Sequence, residues 1–132
     1  MDKRYQKCIL TNMILIYKED EILVVDRKKE DWPGLTFPGG HVENGETIIE
    51  SVFREAKEET GLELLEVKPC GVFERPWEAG SRYIAFLYKS NKFRGAIKSS
   101  KEGEVLFINR NDINKFDLSQ DFVELLNIMI EN

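Results

Sequence analysis

Unbroken apolar runs at 13–17 and 22–25, set off by polar residues, read as two β-strands. The polar run Lys18-Glu19-Asp20-Glu21 between them predicts a tight turn. A charged stretch over 27–31 lacks apolar alternation and reads as loop, and 35–37 leads into the turn Phe37-Pro38-Gly39-Gly40. A helix is expected next. Thr47 and Glu50 form a T-x-x-E capping box at its start, and Gly61 suits a left-handed cap at its end. Strands are predicted over 64–74 and 83–89, with a break at 76–81, and a short strand over 105–108. Phe122, Leu125, Leu126 and Met129 give 118–130 a helical spacing. There are no internal repeats, low-complexity tracts or linkers. Strands interleaved with two helices indicate an α/β fold in a single domain spanning 1–132.

The first helix carries an unusual distribution of charge. At about 100° per residue, with Glu55 at zero, Glu58 falls near 300° and Glu59 near 40°. The apolar side chains Ile48, Ile49, Val52, Phe53 and Ala56 occupy an overlapping arc from about 20° to 160°. Glu59 is therefore expected on the side facing the protein, where an ordinary amphipathic helix places leucine. Burying an unpaired carboxylate costs several kcal/mol, whereas one that coordinates a cation can be retained. The glycines of the preceding turn permit close approach of backbone to a ligand, and a carbonyl there adds a hard oxygen donor. Oxygen-only donors of this kind suit Mg²⁺, with Mn²⁺ a possible substitute.

These residues resemble the Nudix box, G-x5-E-x7-R-E-U-x-E-E-x-G-U with U aliphatic. Gly40, Glu46, Arg54, Glu55, Glu58, Glu59, Gly61 and Leu62 match it, and Ala56 stands at the first aliphatic position, smaller than usual. The resemblance implies a mixed β-sheet sandwiched between helices and a Mg²⁺-dependent pyrophosphohydrolase. It makes Glu58 and Glu59 the principal metal ligands, with Glu55 holding a second metal or taking the proton of the attacking water. Gly39 would lend its backbone carbonyl, and Arg54 would pair with Glu46 or Glu55. Many members add a carboxylate late in the chain. Glu102 is the first choice here and Glu104 the second, the competing view being that both are solvated loop acids.

A short chain of this kind looks most like the MutT branch, which implies an oxidised nucleoside triphosphate such as 8-oxo-dGTP, cut to monophosphate and pyrophosphate. ADP-ribose or nucleotide-sugar cleavage and removal of pyrophosphate from RNA 5′ ends are the alternatives within the family. A nucleotide-binding module without catalysis is the alternative outside it, and a plain α/β interaction domain is a third. Retention of all three glutamates favours catalysis.

Composition narrows the partners. The net charge is −5, with no basic run longer than Arg27-Lys28-Lys29, which argues against a dedicated nucleic-acid surface. It leaves room for a nucleotide, since a bound cation inverts the local sign. Cys8 and Cys70 lie beside apolar residues and are expected to be buried thiols rather than a disulfide or zinc pair. No signal peptide or membrane-length apolar run is visible, so a cytoplasmic location is expected; the oligomeric state, monomer or homodimer, stays open. His41 reads as a structural turn residue, with a phosphate contact or a base role as the competing reading. Trp32 is expected to brace the entrance loop. Trp77, Arg82 and Tyr83 read as packing or surface residues, with base stacking or a phosphate grip as the competing role.

Overall fold

A computed structural model describes residues 2–28, 33–101 and 103–132. The elements run β1 Cys8–Lys18, β2 Glu21–Arg27, β3 Gly34–Thr36, β4 Gly39–His41, α1 Ile48–Thr60, β5 Glu63–Pro76, β6 Arg82–Arg94, β7 Gly103–Asn109 and α2 Phe122–Glu131. Short 3₁₀ turns at Glu78–Gly80 and Arg110–Lys115 join β5 to β6 and follow β7.

The sheet is mixed. Its main path is β3-β2-β1-β6-β5, with β4 also paired to β1 and β7 to β2. β1 and β6 run parallel over nine consecutive partners, from Cys8↔Arg82 to Ile16↔Ser90. β1 meets β2 antiparallel at Tyr17↔Ile22 and Lys18↔Glu21, the outcome predicted for the polar turn between them. From there the two strands splay apart, so the rest of that β1 edge takes β4, opposite β6, while β2 takes β3 and β7.

Alternation along these strands sorts the core into two layers. Leu15, Ile22, Val24, Leu35, Leu87 and Phe37 pack beneath Phe122, Leu125, Leu126 and Met129 of α2. Phe37 and Phe122 stack with ring centroids 4.4 Å apart. On the opposite face Ile14, Ile16, Leu23, Val25 and Val105 pack against Val52 and Ala56 of α1, together with Leu62 and Leu64. The sheet is thus enclosed by one helix on each face, as the α/β expectation required. Among the described residues no helix is long and apolar enough to cross a membrane.

Several expectations need correction. The helix predicted over 118–130 begins only at Phe122, because Leu118 forms a bridge to Leu35 and the Ser119 amide donates to the Leu35 carbonyl. Cys8 is exposed at the start of β1, and only Cys70 is buried. In α1 the face turned inward is Ser51, Val52, Ala56 and Thr60, while Ile49 and Phe53 are exposed. The inward face is therefore rotated away from the purely apolar arc, toward Glu55 and Glu59. β4 had no signal in the sequence. It contains two glycines and no apolar alternation, and it forms because the Thr11–Met13 edge of β1 offers it a partner. Trp32 lies outside the described residues.

Candidate active site

The helix that carries the acids is anchored at both ends by local chemistry. The Thr47 hydroxyl oxygen accepts from the Glu50 amide at 3.1 Å, and the Glu50 carboxylate accepts from the Thr47 amide at 2.9 Å, completing the capping box. Gly61, at φ 84°, ends the helix with its amide donating to the Lys57 carbonyl. Packing of Val52 and Ala56 under the sheet then fixes the rotation of α1, and rotation decides where each glutamate points.

Arg54 is the hub of the acidic face. Its Nε and Nη2 donate to the two oxygens of Glu46 at 3.0 and 2.7 Å, a bidentate pair. Nη1 reaches Glu55 at 2.8 Å and Glu58 at 3.1 Å, and Nη2 also reaches the His41 carbonyl at 2.9 Å. Sequence left open whether Arg54 would choose Glu46 or Glu55; it takes both. These hydrogen bonds hold the Glu46 carboxyl below the usual carboxylate range and raise the Arg54 guanidinium above its own. Glu55 goes the other way. Burial is the larger influence and pushes it up, although Arg54 pulls it down.

The glycine turn meets these acids directly. The Gly39 amide donates to Glu59 Oε2 at 3.1 Å, so the turn engages the carboxylate through its N–H. Gly40 lies against Glu55 so closely that a Cβ there would sit 2.5 Å from the Glu55 Cδ. A side chain at position 40 would displace the carboxyl, which is the physical reason for glycine here.

Glu55, Glu58, Glu59, Gly39, Gly40 and His41 line one end of a cleft of about 730 Å³. Phe73 and Arg75 of β5, with Trp77 and Tyr83, line the other end, and Gln120, Asp121 and Leu125 come from the start of α2. The Trp77 and Tyr83 rings are 5.1 Å apart and tilted by 41°. Arg82 points away from this cleft and donates to Gln6 and Glu74. Glu104 is exposed on β7 opposite Asp26 and is not part of the cleft wall, whereas Ser100 and Lys101 are. Glu102 lies outside the described residues. Asn12, Arg75 and Asp121 were missed by sequence reasoning. Each joins the cleft through long-range pairing, and nothing in its neighbours along the chain marks it.

Residues 10–125 match the model of the NUDIX domain. The chain belongs to the NUDIX hydrolase family. It is 32% identical over 102 residues to the mouse protein named 8-oxo-dGDP phosphatase NUDT18, a match covering 76% of this chain but 30% of that protein. It is 35% identical over 105 residues to the ADP-ribose pyrophosphatase of Methanocaldococcus jannaschii, covering 76% of this chain and 62% of the relative. Among solved structures, the MutT NUDIX hydrolase of Burkholderia pseudomallei superposes with a TM-score of 0.80 at 21% identity, over 92% of this chain and 98% of the other. That likeness confirms the NUDIX fold, a mixed sheet held between helices, as the box resemblance implied.

Proposed function

We propose that the chain is a divalent-cation-dependent hydrolase of phosphoanhydrides in which a nucleoside diphosphate is joined to a further group. The observation that carries this reading is the placement of Glu55, Glu58 and Glu59 against the Gly39-Gly40 backbone at one end of a cleft whose other end is aromatic. The donors are all oxygen, the set that Mg²⁺ takes and Mn²⁺ accepts. Among the described residues no three acidic, histidine or cysteine side chains already converge as a metal cage. Arg54 Nη1 bridges Glu55 and Glu58. It engages one oxygen of each and leaves the other oxygen outside that bond. One guanidinium among Glu46, Glu55, Glu58 and Glu59 also leaves the cluster negative, so the residues fit the ion.

Glu58 and Glu59 are the proposed principal ligands. Glu55 either takes a further ion or accepts the proton of the attacking water, and its burial-raised carboxyl suits the second role. The cation supplies charge neutralisation on the phosphate oxygens and a water of lowered pKa. Arg54 orients Glu55 through the bond from its Nη1. Glu102 is proposed as the further carboxylate from outside α1, next in sequence to the cleft residue Lys101, with Glu104 the alternative.

Phe73, Trp77 and Tyr83 of the cleft wall are the proposed aromatic contacts for a base. Within this class we favour an oxidised guanine nucleotide such as 8-oxo-dGTP, released as monophosphate and pyrophosphate; the name of the mouse relative, an 8-oxo-dGDP phosphatase, supports the oxidised guanine base. ADP-ribose is the second reading, supported by the archaeal relative. Hydrolysis of nucleoside di- and triphosphates, their oxidised forms, ADP-ribose and nucleotide sugars with Mg²⁺ tests both, with products separated and kcat/KM compared. Turnover of one class should exceed the others by at least about tenfold. No Mg²⁺-dependent turnover of any of them would reject the reading.

A further inference from the structure

Asn12 lines the cleft although it is only 2% exposed. Its Nδ2 donates to Ser51 Oγ at 2.8 Å, and the Ser51 hydroxyl donates in turn to the Ile48 carbonyl at 2.5 Å. These two bonds fix the orientation of the amide. The serine proton is committed to the helix, so Ser51 can only accept from Asn12, and the amine end must face it. Oδ1 is left buried with no hydrogen-bond partner among the described residues. An unpaired buried acceptor is destabilising, and an apolar residue of similar size would avoid the cost. An asparagine kept in this place points to something that donates to it.

Topology says what lies beside it. Asn12 is the strand partner of Gly40, the residue against which the Glu55 carboxyl rests. Ser51 stands four residues before Glu55, on the same face of α1. The carboxamide is therefore placed near Glu55, to which the preceding reading gives either a further ion or the proton of the attacking water. We propose that Asn12 is a positioning residue of the hydrolytic centre, its Oδ1 accepting a hydrogen bond from a water that bridges to Glu55. Because an amide does not titrate, this acceptor keeps the bridging water in one orientation whatever the charge on the glutamates. The inference rests on the hydrolytic reading, and its test separates the two.

Two variants carry the test. Asn12→Val keeps a strand-compatible shape and removes the acceptor, and Asn12→Thr puts back a hydroxyl oxygen. Mg²⁺-dependent hydrolysis gives kcat and KM, and Mg²⁺ alone, read through its effect on Tm, gives a measure of the site without turnover. For Asn12→Val, kcat should fall about 10- to 100-fold, with nucleotide KM within about twofold of the parent. The Mg²⁺-induced rise in Tm should shrink, while the metal-free Tm stays at or above the parent value. Asn12→Thr should restore part of kcat. Wild-type kcat and an undiminished Mg²⁺ response in both variants would overturn the proposal, as would losses that track a lower metal-free Tm in both. If the unmodified protein hydrolyses nothing, the hydrolytic reading fails instead, and the Mg²⁺ response of Asn12→Val still judges Asn12.

Discussion

Arg75 of β5 and Asp121 at the start of α2 form an ion pair across the cleft. Asp121 holds a left-handed backbone (φ 70°), and its side chain makes no capping hydrogen bond to its own helix. Its carboxylate goes to Arg75 instead, and the Arg75 guanidinium also lies 5.3 Å over the Phe73 ring. The pair ties the aromatic end of the cleft to α2. Both side chains are mostly covered, at 27% and 18% exposure, so the interaction lies between a solvated pair and a buried one.

Asp121→Asn keeps the shape and the tolerance for the left-handed conformation while removing the charge. It should lower stability by about 1–2 kcal/mol. Arg75→Ala should cost a similar amount, and the double variant clearly less than the sum of the singles. Urea unfolding of the three proteins measures this. Strict additivity would show that the two residues are not coupled.

Gly40→Ala separates stability from chemistry. The added Cβ meets the far end of a flexible side chain, the Glu55 carboxyl, and not rigid backbone. Glu55 can move aside, at about 1–3 kcal/mol. Activity should fall by about 10²-fold or more, because the displaced carboxyl no longer faces the reacting water. Calorimetry alongside kcat measurement checks the split, and a large loss of Tm with preserved kcat would contradict it.

The acidic site was largely legible because its information is local. Gly40, Glu46, Arg54, Glu55, Glu58 and Glu59 fall within one short strand, the loop after it and one helix, so they lie close along the chain. What spacing could not give was the rotation of α1. Ser51 and Thr60, both fully buried, replace Ile49 and Phe53 on the inner face, because Ser51 bonds Asn12 and the Thr60 hydroxyl donates to the Ala56 carbonyl. The aromatic end was less legible. Trp77 and Tyr83 stood out as candidates, but Phe73, Arg75 and Asp121 come together only through the β5–β6 pairing and the docking of α2. β4 was invisible for a related reason, since a strand of Gly39, Gly40 and His41 owes its existence to its neighbour and not to its own pattern.

The two shifted glutamates predict opposite responses of the metal-free protein to pH. Glu46 lies below its ordinary value when folded, so the stability it contributes is present above the unfolded pKa and is lost as pH falls through the folded one. Glu55 lies above its ordinary value, so the folded state holds its proton longer and stability declines as pH rises through that range. Glu46→Gln should therefore be less stable than the parent near neutrality, with the gap closing on acidification. Glu55→Gln should gain on the parent as pH rises past the carboxylate range. Thermal melts of the three proteins across the acidic to neutral range decide the signs.

The thiols should differ sharply in reactivity. Cys8 is exposed, whereas Cys70 is buried and its thiol is pushed up to about 11 by desolvation. Alkylation at neutral pH followed by mass mapping should modify Cys8 first, with Cys70 reacting only after unfolding. Equal labelling of both in the folded protein would show that the α2 face of the sheet opens readily.

Glu58 offers the cleanest test of the acidic cluster, because its side chain is 62% exposed and supports little of the core. Its bond to Arg54 at 3.1 Å is a surface i, i+4 contact worth at most about 0.5 kcal/mol. Glu58→Gln should therefore leave Tm nearly unchanged without metal. A ligand to the cation is another matter, since the amide carries no charge and binds Mg²⁺ poorly. Turnover should drop by about 10²-fold or more, and the stabilisation produced by Mg²⁺ should shrink with it. Steady-state kinetics and melts with and without Mg²⁺ read both effects on the same sample. If turnover survives the substitution intact, Glu58 is no ligand, and its charge serves only to balance Arg54.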